Sequence, residues 1–272
     1  MPADQDETPG KRYERDMVTA MFAPFARDLV GRMRLRNPMH IADIGCGTGI
    51  VTRLLGQRLD ETSTINGIDI NAGMLDVARA TTKTGMSNFV WHEAGAEALP
   101  LADGSMDLVV SQHVLMFFPD RIQAAREMHR VLRPGGALHI SAWRDYRQQP
   151  HYAALIAGLD LLFSQQAGEL MKTAFQFERE EQIRTPLMAG GFQDIAMQTV
   201  EIDVRYRSAD AFAEMIVKGS ILARMGIEIS GQVMGKLSYF VAQELRRFVT
   251  SAGLVVLMKS YHASATRLAG VR

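Results

Sequence analysis

Through the first half of the chain, short apolar runs alternate with stretches whose apolar residues recur every three or four positions. The runs MHIADI, TINGIDI, NFVWHEA, MDLVVSQ and ALHISAW read as strands, and Ile50 to Leu59, Ala72 to Thr82 and Arg121 to Leu132 read as the helices between them. Such alternation predicts a parallel sheet covered by helices on both faces. Ahead of the first strand, Met17, Met21, Phe22, Phe25, Leu29 and Val30 share a helical period from Tyr13 to about Met33, with an interruption expected at Pro24. Arg133-Pro-Gly-Gly136 is expected to stop the helix before ALHISAW. Past Trp143 the pattern changes. YAALIAGLDLLF and Phe177 to Met188 are helical in period, Ile195 to Tyr206 alternates as a strand, Ser208 to Ser251 is mainly helical, and LVVLMKSYHASAT closes the chain as a last strand. The expected organisation is a helical cap over 1–36, a core over 37–147, and the rest of the sheet over 148–272, with helical lid insertions at about 148–175 and 208–251.

Composition narrows this to one main core. The 272 residues are 47% hydrophobic and 22% charged, with thirty basic side chains against thirty acidic ones. The densest basic clusters, Arg32, Arg34 and Arg36, and Arg246 with Arg247, fall near predicted helix ends, where cations complement the helix dipole. No surface for capturing nucleic acid is expected. Cys46 is the only cysteine, so an intramolecular disulfide and a multi-cysteine metal site are both excluded, and no metal is expected. The opening MPADQDETPGKRYERD carries no secretory segment, and no apolar stretch approaches the ~20 residues of a membrane span. A cytoplasmic protein follows, and apolar surface on a helical insertion would suit a homodimer.

Candidate chemistry centres on HIADIGCGTGI, where three glycines follow the first strand and let the main chain come close to a ligand. A dinucleotide fingerprint wants G-x-G-x-x-G, but Ile50 stands where its third glycine would fall, and no G-K-[ST] ending makes a phosphate loop. About twenty residues on, Asp69 ends the second strand, placed to accept from both hydroxyls of a ribose or to cap the following helix, a role also open to Asn71. Nicotinamide dinucleotides and S-adenosyl-L-methionine both have that ribose.

The stretch Ala94-Gly-Ala-Glu-Ala-Leu-Pro-Leu-Ala-Asp-Gly-Ser-Met-Asp-Leu-Val-Val110 resembles the G-D-A-E-x-L-P-F-x-D-x-S-F-D-x-V segment of class I S-adenosyl-L-methionine-dependent methyltransferases, especially the ubiquinone/menaquinone-biosynthesis-like (methyltransferase type 11) group. DIGCGTG, GIDIN and EMHRVLRPGGALHISAW resemble the same group, so the likeness runs from about residue 40 to 143 in the expected order. More weakly, YERDMVTAMFAPFARDLV, SQHVLMFFPDR and SAWRDYRQQPHYAAL resemble a bacterial branch of similar chain length. The resemblance implies a Rossmann-like, doubly wound seven-stranded sheet, mostly parallel with the last strand antiparallel, and S-adenosyl-L-methionine as cofactor. It implies that Gly45, Cys46 and Gly47 line the methionine part, with Asp43 behind the turn attracting the ammonium. Asp69 would take the ribose, Ile70 and Met74 flank adenine, Gly95, Ala96 and Glu97 read its edge, and Ser111 offer its carbonyl to the ammonium. Gly95 departs from the pattern, since the group usually has an aspartate there that accepts from the adenine amino group; Glu97, water or main chain would have to replace it.

Methyl transfer asks an enzyme to hold the nucleophile in line, exclude water and, for a hydroxyl or acidic carbon, take a proton. His113, two residues beyond Ser111, is the candidate base, with packing in its loop as the alternative. Tyr13, Phe22, Phe25, Phe117 and Trp143 are candidates for an aromatic wall beside the sulfonium or the substrate, or for the core. Met215, Met225 and Met234 in the expected lid would suit either an apolar pocket or core filling. The expected activity is methyl transfer to oxygen, nitrogen or carbon of a small, apolar or aromatic metabolite. The alternatives are a cofactor-binding protein that has lost methyl transfer and an NAD-dependent oxidoreductase.

Overall fold

The computed structural model describes residues 8–82 and 87–268; the first seven residues of the polar opening and the last four of the chain lie outside it. Eight strands form one sheet: β1 (His40–Ile44), β2 (Thr64–Asp69), β3 (Asn88–Glu93), β4 (Met106–Gln112), β5 (Leu132–Trp143), β6 (Gln193–Tyr206), β7 (Val249–Thr250) and β8 (Gly253–Thr266). Seven run in the order β3-β2-β1-β4-β5-β8-β6, and the two-residue β7 pairs antiparallel with β8. The pairs from β3 to β5 are all parallel, in registers such as Asp43 with Gly67 and Ala42 with Val109, and the strands at the β8–β6 end are antiparallel. This is the Rossmann-like doubly wound arrangement. Its order reverses beside β1, which puts the carboxyl ends of β1 and β4 at the switch point where ligands of open α/β sheets bind.

Two compact units share these strands. One comprises Phe25–Ala142, Phe177–Val200 and Ser260 onward; the other comprises the chain up to Pro24, Trp143–Gln176 and Glu201–Lys259. In the first, β1 and β4 are apolar on both faces because helices cover both, so Ile41, Leu108 and Val110 are buried against Leu29, Val51, Leu55 and Ile65. In the second, helices Pro150–Leu162 and Gly231–Leu245 approach closely. Gly158 permits this, since a β-carbon there would lie 2.6 Å from Leu237.

Three local expectations change. The N-terminal helix is not broken at Pro24: residues Glu14–Phe22 widen into π-helix between Pro9–Tyr13 and Ala23–Gly31. Ala23 N–H bonds to Val18 O, five residues back, a winding that accommodates a proline ring without a break. The helix expected from Phe177 begins at Glu181. The Gln182 side chain accepts from the N–H groups of Glu178 and Arg179 at 2.7 and 3.0 Å and holds those residues in a turn. Helix Arg121–Val131 ends ahead of Arg133 as expected, but residues 133–136 then lie inside β5 as a bulge, where the register jumps between Met106–Leu132 and Leu108–Ala137.

Candidate active site

The loop after β1 passes three times through left-handed backbone, with φ of +70°, +55° and +84° at Gly45, Gly47 and Gly49, where a β-carbon is strained. Each position has its own surroundings. A β-carbon on Gly45 would lie 2.5 Å from Val114, and one on Gly49 3.0 Å from Trp91, but one on Gly47 would meet nothing within 4 Å. Gly45 and Gly49 therefore pack, and Gly47 presents bare backbone. The N–H groups of Gly45 and Cys46 both donate to Ile68 O, at 2.7 and 3.0 Å, fastening the loop to the end of β2.

Asp69 closes β2. Its Oδ2 accepts from Gly47 N–H and its Oδ1 from Asn71 N–H, each at 2.8 Å. The carboxylate is thereby fixed beside the loop. Asn71 caps helix Ala72–Thr81, its Oδ1 accepting from Met74 N–H, so Asp69 is not needed as the cap. Asp43 is buried behind the loop and accepts from Thr52 Oγ at 2.6 Å. Burial raises its pKa to about 7, aided by the charge of Asp69 and opposed by the Thr52 hydrogen bond. Cys46 is buried, and its Sγ lies 3.2 Å from where a β-carbon on Gly67 would stand. Burial, with Asp43 and Asp69 nearby, pushes its thiol well up, so it packs as a protonated side chain and not as a nucleophile.

The turn after β3 hangs from β2 through Ala94 N–H to Asp69 O at 3.1 Å, bringing Gly95, buried Ala96 and half-buried Glu97 to the tip of that strand. Ile70 is 77% exposed and Met74 half-buried. Ser111 is buried at the end of β4, and its hydroxyl donates to Ile44 O at 2.9 Å, tying β4 to β1.

His113 has φ of +53°, and its N–H donates to Ser141 O at 2.8 Å. Its Nε2 lies 3.0 Å from Ser260 Oγ, which also lies 3.0 Å from the carbonyls of Ala142 and Tyr261. The hydroxyl's single proton goes to a carbonyl, so Nε2–H donates to Ser260 and Nδ1 carries the lone pair. Burial pushes this imidazole well below its usual range, so it is neutral. Phe25 packs edge-on against it at 5.3 Å and is itself buried, whereas Phe117 is 51% exposed.

Tyr13, Phe22 and Trp143 belong to the other unit. Their rings are 5.4 Å (Tyr13–Phe22) and 5.9 Å (Phe22–Trp143) apart, and the row continues through Phe175, Tyr152, Phe212 and Tyr206. Three residues escaped the sequence analysis: Thr52, Ser260 and Tyr206. Tyr206 is buried beside His151, an outside candidate for the base, and among the described residues neither ring nitrogen of His151 nor the Tyr206 hydroxyl has a hydrogen-bond partner. None of the three carried a readable signal, because their partners lie on other elements.

Residues 42–140 match the methyltransferase domain family model. The demethylmenaquinone methyltransferase of Lactiplantibacillus plantarum is 29% identical over 185 residues, 63% of this chain and 78% of that one. The trans-aconitate 2-methyltransferase of Azoarcus is 34% identical over 126 residues, 46% of this chain and 47% of that one. Among solved structures, the Haemonchus contortus phosphoethanolamine N-methyltransferase 2 in complex with S-adenosyl-L-methionine superposes with a TM-score of 0.60 at 16% identity, covering 97% of this chain and 58% of that one, a likeness of fold.

Residues 42–140 carry a methyltransferase domain of the S-adenosyl-L-methionine-dependent kind. That domain is distantly related to the demethylmenaquinone and ubiquinone/menaquinone C-methyltransferases. No helix among the described residues is long and apolar enough to cross a membrane.

Proposed function

We propose that the chain transfers a methyl group to an oxygen, nitrogen or carbon atom of a small apolar or aromatic molecule in the cytoplasm, working as a homodimer. The observation that carries the reading is the Asp69 carboxylate, fixed on both oxygens by Gly47 and Asn71 beside bare glycine backbone. That arrangement fits a nucleoside ribose with a chain running over Gly45, Cys46 and Gly47. The cofactor supplies an electrophilic methyl group on a sulfonium. Asp43 and the Ser111 carbonyl attract its ammonium, Ile70 and Met74 flank the adenine, and Gly95, Ala96 and Glu97 meet its edge. His113 takes the proton where the acceptor has one to lose, through a nitrogen oriented by Ser260. Phe25 and Phe117 line the acceptor side, and the aromatic row of Tyr13, Phe22 and Trp143, taken within its own unit, is of the chemistry that suits a flat apolar acceptor.

Gly95 favours a second reading, cofactor binding without transfer, because it removes the usual acceptor for the adenine amino group. Methyl-labelled cofactor incubated with quinols, phenols, aromatic acids and amines separates the two. Label in a product together with S-adenosylhomocysteine supports transfer. Tight S-adenosylhomocysteine binding with no labelled product across the panel supports the second reading. Sizing by light scattering checks the dimer, which exposed Leu161, Phe163 and Tyr239 support.

A further inference from the structure

Helix Pro150–Leu162 begins buried and without a side-chain cap. Gln149, at the cap position, commits its amide elsewhere: Nε2 donates to the carbonyls of Arg144 and Lys259 at 3.3 and 2.7 Å, and Oε1 accepts from Lys259 N–H at 2.9 Å. His151, the second residue of the helix, is fully buried. Rings enclose its imidazole, with centroids at 4.8 Å for Tyr152, 5.0 Å for Phe212 and 5.7 Å for Tyr206. None of them gives it a partner. Phe212 has no polar side-chain atom, the Tyr152 hydroxyl is turned to Met21 Sδ at 3.3 Å, and the Tyr206 hydroxyl is itself buried without a hydrogen bond. All of these residues belong to one compact unit.

A buried donor or acceptor without a partner destabilises a fold, and phenylalanine at either position would remove that cost. Polar groups kept among aromatic rings against this cost fit a ligand that completes their hydrogen bonds. Burial holds His151 down at about 3 and pushes the Tyr206 phenol up, so His151 presents one N–H and one lone pair and Tyr206 an O–H. We propose that His151 and Tyr206 are the specificity-determining end of the acceptor site, receiving a hydroxyl that donates to the imidazole lone pair and accepts from the Tyr206 O–H. The inference rests on the reading that the aromatic row of this unit takes a flat apolar acceptor, and it narrows that acceptor to an alcohol or phenol. A carbonyl or ether oxygen can only accept, so it leaves the lone pair unmatched. An ammonium is opposed by the positive end of the helix dipole at His151.

The test compares binding of 2-naphthol, 2-methoxynaphthalene and naphthalene to the full chain by equilibrium dialysis in the presence of S-adenosylhomocysteine. The wild-type protein is expected to hold 2-naphthol about tenfold or more tightly than the other two. His151→Phe and Tyr206→Phe keep a ring and remove only the polar atoms. Each should erase that preference with no loss of stability in urea melts and with S-adenosylhomocysteine bound as before in calorimetry. His151→Gln, whose amide both donates and accepts, should keep part of the preference. A hydroxyl preference retained in both phenylalanine variants overturns the inference. The comparison within the wild-type protein needs no variant to fold: all three compounds bound alike overturns the inference and leaves the aromatic row as an acceptor site, and none bound overturns both.

Discussion

Gly45 and Gly47 stand two residues apart in similar left-handed backbone, yet their surroundings predict different costs. Alanine at 47 meets no neighbour, so Gly47→Ala should lower stability only by the left-handed backbone penalty, about 1–2 kcal/mol, while S-adenosylhomocysteine affinity falls at least tenfold because the new methyl stands where the ligand approaches. Alanine at 45 adds a collision with Val114, so Gly45→Ala should unfold at clearly lower urea concentration. Urea melts and calorimetry on the pair separate a packing glycine from a ligand glycine; equal loss of both quantities in both variants would refute the distinction. Asp43 makes a pH-dependent prediction. Its carboxyl is held up to about 7 by burial, and an ammonium binds the ionised form, so S-adenosylhomocysteine should bind more tightly as pH rises from 6 to 8, up to about tenfold per pH unit below the pKa. Asp43→Asn should flatten that profile. An unchanged slope in the variant would remove Asp43 from the ammonium site.

At the scale of elements, what was legible in the sequence was what is local. The glycine loop, Asp69 and the turn after β3 lie within about sixty residues; hydrophobic period and glycine spacing single out the loop and Asp69, and the turn after β3 is singled out by its resemblance to a methyltransferase segment. Boundaries set by one side chain were not legible: the start of helix Glu181–Ala189 is decided by Gln182 folding back on the preceding N–H groups. Nor was anything that joins distant strands. His113 was singled out by its place after β4, but its tautomer is decided by Ser260 on β8, and no spacing rule links residues so far apart. The contact predicts that Ser260→Ala, by orphaning a buried imidazole N–H and opening the link between β4's loop and β8, costs about 1–3 kcal/mol of stability. If His113 is the base, the same change should lower kcat more than KM worsens, because the ring loses its fixed tautomer. Loss of stability with kinetics untouched would leave His113 a packing residue.

For the whole molecule, acid stability is governed by histidines that the fold keeps neutral. Burial holds the imidazoles of His113, His139, His151 and His262 low, His151 to about 3 and His139 and His262 to about 4. As pH falls below the ordinary imidazole value of 6.5, the unfolded chain takes up protons at these sites and the folded chain does not, so stability drops with falling pH. The loss is at most roughly 1.4 kcal/mol per pH unit for each imidazole. Asp43 acts in the opposite sense. Its folded pKa of about 7 lies above the ordinary 3.8, so its contribution is full in acid and is lost as pH rises through 7. Four groups against one leave a net loss of at most roughly 4 kcal/mol per pH unit between pH 6.5 and 5, a large fraction of the stability of an ordinary domain. Urea melts at pH 7.5, 6 and 5 should show midpoints falling steeply over this range. His151→Phe should remove about a third of the net slope, one imidazole's share, and leave the protein relatively more stable at pH 5, since the phenyl ring binds no proton and leaves no buried ring nitrogen unpartnered. Midpoints level or rising toward acid in the wild-type protein would mean that these imidazoles find partners and take up charge inside the fold, and the tautomer argued for His113 would fall with them.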